Sequence, residues 1–331
     1  MAATASDARR RSTPMARWHD NSEHLRHRYL WAVIYGAVLV GAATYVLLDT
    51  FVIEHVESSV ATTSTSAQSL STASGTTATA GTTTDGSSDA TVTDTSYSDD
   101  NIQISITTLT VDDTQVYVAD VQVSDASYLR CALAQGSYGR NIKETTSAMA
   151  SENNAILAIN GDYYGFRDTG YVVRNGTLYR STAASDTDAL VIASDGTMYA
   201  ADQDDVTAQS LVDGGAWQVL SFGPVLVSDG QVAVDEDTEV DQAKTSNPRT
   251  AIGMISPLHY VMVVSDGRTS QSSGLSLYQL AQVLRDQGCT FAYNLDGGGS
   301  TTMVFNGTVV NNPTDGNTEG ERKVSDIVYV G

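Results

Sequence analysis

Ten residues near the C-terminus, Asn294-Leu-Asp-Gly-Gly-Gly-Ser-Thr-Thr-Met303, hold one carboxylate, three glycines and three hydroxyls. A run of glycines lets backbone approach a ligand with no Cβ in the way. Successive N–H groups in such a turn can form a concave anion site. Asn294, Gly297, Gly298, Gly299, Ser300 and Thr301 are therefore candidate substrate ligands. Asp296 is the candidate base, nucleophile or charge stabiliser. The same composition also describes a Gly-rich turn with a capping Asp, and composition alone leaves these two readings even. A P-loop is excluded because no Lys follows the glycines, and G-x-G-x-x-G before a helix is absent.

Other segments add groups of matching chemistry. "AINGDYYGF" at 158–166 places Asn160 and Asp162 just past an apolar run. "NPRTAIG" at 247–253 brings Arg249, "VVSDGR" at 263–268 brings Asp266 and Arg268, and "ERKVSD" at 321–326 brings Arg322 and Lys323. Arg grips phosphate through paired, charge-assisted bonds that Lys reproduces poorly. For each Arg taken singly, a surface ion pair is the more usual role. Asp296 and Asp266 are the carboxylates expected to do chemistry, with Asp296 first. Tyr163, Tyr164 and Tyr171 would suit stacking on sugar rings.

The elements that must position these groups are legible in outline. "YVVRNGTLYR", "VIASDGTMYA", "VLVSDGQVAV" and "MVFNGTVV" each set Asn-Gly or Asp-Gly between apolar flanks. That pattern predicts tight hairpins, since a type I′ turn needs positive φ at both central residues. Asn175 and Asn306 also begin Asn-Gly-Thr sequons, but the hairpin explains them. "VYVADVQVS" at 116–124, "AILAI" and "CTFAYNL" read as strands. Two helices are expected, over 144–154 and 276–288. In the second, Ser276 and Gln279 form a capping box, Leu277, Leu280, Ala281 and Leu284 share one face, and Gly288 supplies the stop. The fold class is α+β: mixed, mainly antiparallel sheets with few helices, preceded by one transmembrane helix and a disordered stalk.

Composition divides the chain. Residues 1–28 carry six arginines, and 29–48, "YLWAVIYGAVLVGAATYVLL", carry no charge. Twenty apolar residues at about 1.5 Å each match a bilayer core of about 30 Å. Apolar side chains all the way round argue against a buried core helix. The reading is a signal anchor whose basic tail, 1–28, stays in the cytoplasm, because positive charge marks the inner side. Residues 49–96 form a linker, and within it 23 of the 39 residues from 58 to 96 are Ser or Thr. Such a stretch cannot bury enough surface to fold. Residues 97–331 form the folded domain, with 30 acidic and 12 basic residues, a net charge of −18. That balance excludes nucleic acid and anionic membrane surfaces as partners, and "DEDTEVD" at 235–241 reads as a solvated loop. Cys131 and Cys289 fit either a disulfide outside the cell or two small buried hydrophobes. No Cys/His spacing suits zinc. The many carboxylates leave a divalent cation open, although no loop has EF-hand spacing.

Taken together and in this order, "AINGDYY", "NPRTAIG", "SDGR…SGLSLYQLAQVL" and "YNLDGGGSTTM" resemble the phosphodiester glycosidase family over about residues 115–331. The family's first segment is often Asn-Gly-Gly-aromatic. Here Asp162 stands in place of the second Gly, so Asn160 carries over directly. The resemblance implies an enzyme that hydrolyses a sugar-1-phosphodiester to sugar and phosphomonoester. It implies phosphate contacts from Arg249, Arg268, Arg322 and the Gly297–Gly299 backbone, and a catalytic task for Asp296. The expected partner is a cell-wall or exopolysaccharide glycan phosphodiester. Two other readings stay open: a phosphodiesterase that cuts P–O, and a non-catalytic glycan-binding or envelope-assembly module.

Overall fold

The computed structural model describes residues 18–59, 90–238, 246–316 and 318–331, the side chains of 18–28 and 59 apart. Most of the basic tail (1–17), the greater part of the linker (60–89) and the end of the acidic loop (239–241) lie outside the described residues. The chain divides into two units, residues 1–54 and 55–331.

In the first unit, helix α1 runs Trp18–Phe51. Its Tyr29–Phe51 portion is long and apolar enough to cross a membrane, and none of that portion is buried. Side chains on all sides, such as the consecutive Tyr45, Val46, Leu47 and Leu48, are exposed. A buried core helix is thereby ruled out for this segment.

The second unit is built from antiparallel pairs. Among the described residues, a nine-stranded sheet runs in space from Gln231–Val232 through Val225–Ser228, Phe291–Asn294, Thr250–Ser256, His259–Ser265, Thr114–Val123, Ile102–Val111 and Ser96–Ser98 to Thr91–Val92. A five-stranded sheet, here the site sheet, has the order Thr308–Val309, Met303–Phe305, Leu157–Asn160, Asp326–Val330, Leu129–Leu133. A second five-stranded sheet, here the cap sheet, has the order Thr177–Arg180, Val172–Arg174, Ala216–Leu220, Asp188–Ala193, Met198–Asp202.

The central strand His259–Ser265 shows how sequence sets these layers. Period-two alternation sends Tyr260, Met262 and Val264 to one face and Val261 and Val263 to the other. The first set joins a core with Leu157 and Ile159 of the site sheet and Leu190 and Ile192 of the cap sheet. The second set packs under Leu277, Leu280, Ala281 and Leu284. These four residues belong to helix α4, Leu277–Asp286, the last of four α-helices among the described residues; α2 is Thr146–Glu152 and α3 is Ala208–Asp213. The reciprocal cap of α4 is present: Gln279 N–H donates to Ser276 Oγ at 3.1 Å, and Ser276 N–H donates to Gln279 Oε1 at 2.8 Å.

The hairpins at Asn175-Gly176, Asp229-Gly230 and Asn306-Gly307 all have positive φ at both turn residues. At Asp195-Gly196 only Gly196 does, with φ +85°. Asn175 is also pinned, since its Nδ2 donates to Cys131 O at 2.8 Å and its Oδ1 accepts from Gln218 Nε2 at 2.8 Å. Two short strands fall inside the stretch read as linker. His55–Ser59 pairs with Ser137–Arg140, and Thr91–Val92 pairs with Tyr97–Ser98. Cys131 and Cys289 are free and buried in different cores, which selects the hydrophobe reading over the disulfide.

Replacing Ser276 with Ala removes one half of the α4 cap. A loss of about 1 kcal/mol in unfolding free energy is expected from denaturant titration.

Candidate active site

The glycine turn is the crossover between two sheets. Phe291–Asn294 belongs to the nine-stranded sheet and Met303–Phe305 to the site sheet, so residues 295–302 bridge them. Each glycine answers to a separate neighbour. A Cβ on Gly297 would lie 2.8 Å from the Pro248 carbonyl oxygen. Gly298 has φ +62°, and a Cβ there would lie 2.8 Å from Arg268 Nη2. A Cβ on Gly299 would lie 2.7 Å from Arg322 Cζ. The glycines therefore let two guanidinium groups approach the turn closely.

The backbone donors of this turn are mostly spent within the protein. Gly297 N–H bonds the Asp296 carboxylate, and Gly298 N–H donates to Pro248 O at 2.8 Å. Ser300 N–H donates to Gly297 O at 3.2 Å, and Thr301 N–H donates to Gly298 O at 3.3 Å. The open backbone nest expected at Gly297–Gly299 is thus replaced by a wound 3₁₀ turn with the two Arg side chains laid over it.

Asp296 lines a cavity of about 210 Å³ with Asp162, Tyr163, Phe166, Ser300 and Arg322, and Lys323 lies at its rim. Its residue surface is only partly buried. Atoms packed around the carboxyl still push its pKa up to about 6, while the Ser300 hydroxyl, Arg322, Arg167 and the Gly297 N–H oppose the rise. Arg322 is itself aimed by Asp315, which accepts from Nε at 2.9 Å and from Nη2 at 2.8 Å. The Arg167 guanidinium stands 5.0 Å from the Phe222 ring centre and 5.8 Å from that of Tyr163. Tyr163 stacks on Phe166 at 4.5 Å, and Lys143 Nζ sits 5.0 Å from the Phe166 ring centre. Cations over aromatic faces are favourable contacts, and the two rings that line the cavity, Tyr163 and Phe166, each have a cation near a face.

Beneath Asp296 lies a buried ionic triad. Arg174 donates from Nε to Asp326 Oδ2 at 2.8 Å and from Nη2 to Asp162 Oδ1 at 2.9 Å. Asp162 also accepts from Tyr164 N–H at 3.1 Å and from Ser221 N–H at 2.9 Å. Burial works against the Arg174 charge, but Asp162 and Asp326 outweigh it and raise its pKa. Burial also pushes the Asp326 pKa up; Arg174 opposes this, and the charges of Asp162 and Asp296 reinforce it. Asp326 Oδ1 is buried with no hydrogen-bond partner and stands against the Gly161 backbone.

Asn160 is a brace. Its Nδ2 donates to Asp296 O at 2.6 Å, and its Oδ1 accepts from Thr250 Oγ1 at 2.8 Å and from Thr302 N–H at 3.2 Å. Thr301 meets the same Thr250 hydroxyl at 3.3 Å. Asn294 donates to Gly223 O at 2.7 Å. Arg249 is buried and donates from Nε to Leu275 O at 2.9 Å. Arg268 donates to Asn247 Oδ1 at 3.0 Å and stays exposed.

Of the expected site residues, the structure groups Asp296, Ser300, Arg322 and Asp162 at one cavity, with Arg268 on the neighbouring glycine. Asn160, Asn294, Thr301 and Arg249 stand behind it as internal bonds. Asp266 lines a different cavity and accepts from Asn312 N–H at 2.8 Å, Asn312 Nδ2 at 2.8 Å and Tyr117 Oη at 3.3 Å. Tyr164 and Tyr171 are buried, so neither offers a face for a sugar; of the three tyrosines only Tyr163 reaches the cavity. Sequence reasoning did not find Arg167, Arg174, Phe166 or the role of Asp326. Among the described residues, no group of three or more His, Cys, Asp or Glu side chains is arranged to hold a metal ion.

A model of the phosphodiester glycosidase family matches residues 153–331, just over half of the chain. The chain belongs to the phosphodiester glycosidase family. It is 31% identical over 238 residues to the SPbeta prophage-derived uncharacterized protein YomE of Bacillus subtilis (strain 168), covering 69% of this chain and 36% of that relative. It is 28% identical over 214 residues to the N-acetylglucosamine-1-phosphodiester alpha-N-acetylglucosaminidase of Mus musculus, covering 59% and 41%. The chain thus spans well under half the length of these curated relatives. In fold it is similar to the catalytic domain of the zebrafish N-acetylglucosamine-1-phosphodiester alpha-N-acetylglucosaminidase. That likeness has a TM-score of 0.56 at 22% identity and covers 69% of this chain and 82% of the other.

Two stability measurements probe this arrangement. Arg174→Met leaves two carboxylates buried without their cation, so a loss of about 3–5 kcal/mol is expected in denaturant unfolding. Asp296 has a raised pKa in the folded state, so the stability tied to its neutral form is full at low pH and is lost as pH rises through about 6. Asp296→Asn cannot ionise, and its melting temperature is expected to gain on wild type between pH 5 and pH 8.

Proposed function

We propose that this chain is a hydrolase that cleaves the C1–O bond of a sugar-1-phosphodiester, releasing free sugar and a phosphomonoester. The observation that carries this reading is Asp296: a carboxyl with pKa raised to about 6, in a cavity of about 210 Å³ that it shares with Arg322 and Lys323. The domain is otherwise strongly acidic, so cations gathered at one carboxylate suit an anionic substrate.

The chemistry follows from the groups present. A phosphodiester carries one negative charge, and Arg322, Lys323 and Arg167 offset it. Departure of the phosphate from C1 gives a phosphomonoester whose second pKa is about 6, a good leaving group near neutral pH. A strong general acid is therefore unnecessary. Ionised Asp296 accepts a proton as a water oxygen attacks C1 and the C1–O bond to phosphorus breaks. The negative Asp296 also steadies the positive charge that grows on the sugar ring. Asp162 faces the cavity, yet three donors occupy its oxygens, so its part is a fixed charge that holds the floor. Arg268, close against Gly298, is a further cation that a phosphate at the turn would meet.

The family and the murine relative's name support a GlcNAc-1-phosphodiester as the class of substrate. The Tyr29–Phe51 helix, uncharged over residues 29–48 and following a basic tail, supports membrane anchoring with the folded domain outside the cell. Cell-wall or exopolysaccharide glycans are the substrates that such a location would offer.

The reading is tested with the full chain in detergent on a panel of sugar-1-phosphodiesters, including the methyl ester of GlcNAc-1-phosphate. Wild type is expected to release free sugar, and Asp296→Asn, still folded, is expected to lose about 10²–10⁴-fold in kcat. The pH profile should have an acid limb with a midpoint near 6, falling as pH drops and Asp296 gains a proton. Wild-type turnover in Asp296→Asn would remove Asp296 from the mechanism.

A further inference from the structure

Five buried side-chain atoms among the described residues have no hydrogen-bond partner: Thr146 Oγ1, Asn294 Oδ1, Thr302 Oγ1, Ser325 Oγ and Asp326 Oδ1. Of these five residues, Ser325 lines the Asp296 cavity. It is 2% exposed. A polar group left unpaired in the interior is costly. An orphan on a cavity wall therefore calls for a partner that the cavity admits.

The backbone around this hydroxyl is fixed. Ser325 O accepts from Ala134 N–H at 2.9 Å and from the Tyr164 hydroxyl at 3.4 Å. On one side, Val324 O accepts from Glu144 N–H at 3.0 Å, and Val324 N–H donates to Glu144 O at 2.8 Å. On the other, Asp326 pairs with Leu133 and holds Arg174. Only the hydroxyl can turn, among the staggered positions of χ1.

Gly165 makes room for it. A Cβ on Gly165 would lie 2.3 Å from Ser325 Oγ and 3.0 Å from Ser325 Cβ. Gly165 is not among the residues with positive φ, so its need for glycine is one of space. The hydroxyl thus stands against the turn Tyr164–Phe166.

That location decides which part of a substrate it meets. Arg322 and Lys323 are the cations lining the cavity, and they suit the phosphate. Phe166, next to Gly165, lines the same cavity and stacks on Tyr163 at 4.5 Å. Flat apolar rings suit the C–H face of a sugar and offer nothing to a phosphate. A serine hydroxyl both donates and accepts, as a sugar hydroxyl does.

We infer that Ser325 is a specificity-determining residue, whose hydroxyl bonds one ring hydroxyl of the sugar held in the Asp296 cavity. This inference rests on the glycosidase reading of that cavity. Without substrate the unpaired hydroxyl lowers the stability of the fold. With substrate it is paired, and the sugar is held while Asp296 does the chemistry.

The test compares wild type with Ser325→Ala, as full chains in detergent. The variant loses an unpaired hydroxyl, so without substrate it is expected to melt at the wild-type temperature or above. On the methyl ester of GlcNAc-1-phosphate its kcat/KM is expected to fall about tenfold. Ser325→Cys keeps the size with only a weak donor; it is expected to behave alike, and it serves if the Ala variant does not fold. The 3-, 4- and 6-deoxy forms of the ester then locate the partner. One of them is expected to lose about tenfold on wild type and nothing more on Ser325→Ala, because both changes remove the same bond. Undiminished kcat/KM in Ser325→Ala overturns the inference. So does the same loss on every deoxy ester, which would assign the hydroxyl to the phosphate. A lower melting temperature overturns it too, since the hydroxyl would then have a partner in the unliganded fold. If wild type hydrolyses no ester, the glycosidase reading itself fails and this inference falls with it.

Discussion

Arg174 is charged, buried, and bonded to two carboxylates on another sheet. It ends a strand of the cap sheet and reaches Asp162 and Asp326 at the ends of adjacent site-sheet strands, where Ile327 pairs with Asn160. A charge taken out of water costs several kcal/mol unless its partners are well placed. Here the partners are, and Nη1 adds bonds to the carbonyls of Val173 and Val219. The triad fixes where Leu157–Asn160 ends, and so fixes Gly161, whose carbonyl accepts from Asp296 N–H at 3.3 Å. Asp296 is aimed from below by that chain of bonds and from the side by Asn160.

The same constraint explains how charge is distributed. Below the turn, negative charge from Asp162 and Asp326 is held by one guanidinium. Above it, Arg268 and Arg322 lie over glycines that have no side chain to displace them. At an effective dielectric of about 20, unit charges 4 Å apart interact by about 4 kcal/mol. A few cations near the turn therefore matter locally although the domain as a whole is acidic.

Much of this was legible in the sequence, for reasons that are local. Asn-Gly and Asp-Gly turns state their own backbone geometry, and Ser276 with Gln279 states where α4 begins. The turn at Asp112-Asp113 has positive φ at both residues but no Gly, so it left no signal. Helix α3 spans six residues behind a Thr207–Ser210 cap, too short to show a periodic face. At the site, Asp296, Arg322 and Arg268 were legible because a glycine run next to strand ends marks close approach. Asp162 looked like a ligand because it follows a strand, yet its partners come from Arg174, Tyr164 and Ser221, scattered over sixty positions. Arg174 itself sits beside a hairpin turn, where an arginine ordinarily faces water. Only the packing of one sheet on another buries it, and no short window of sequence carries that information. Tyr164 and Tyr171 misled for the same reason.

The central claim is that the bond to sugar carbon breaks, and isotope labelling addresses it most directly. Hydrolysis of GlcNAc-1-phosphate methyl ester by the full chain in ¹⁸O-water, read by mass spectrometry, separates the two bond cleavages. Label in the C1 hydroxyl of the released sugar, with unlabelled methyl phosphate, is the expected result. Label in the phosphate, with unlabelled sugar, would mean that the P–O bond breaks and would contradict the account.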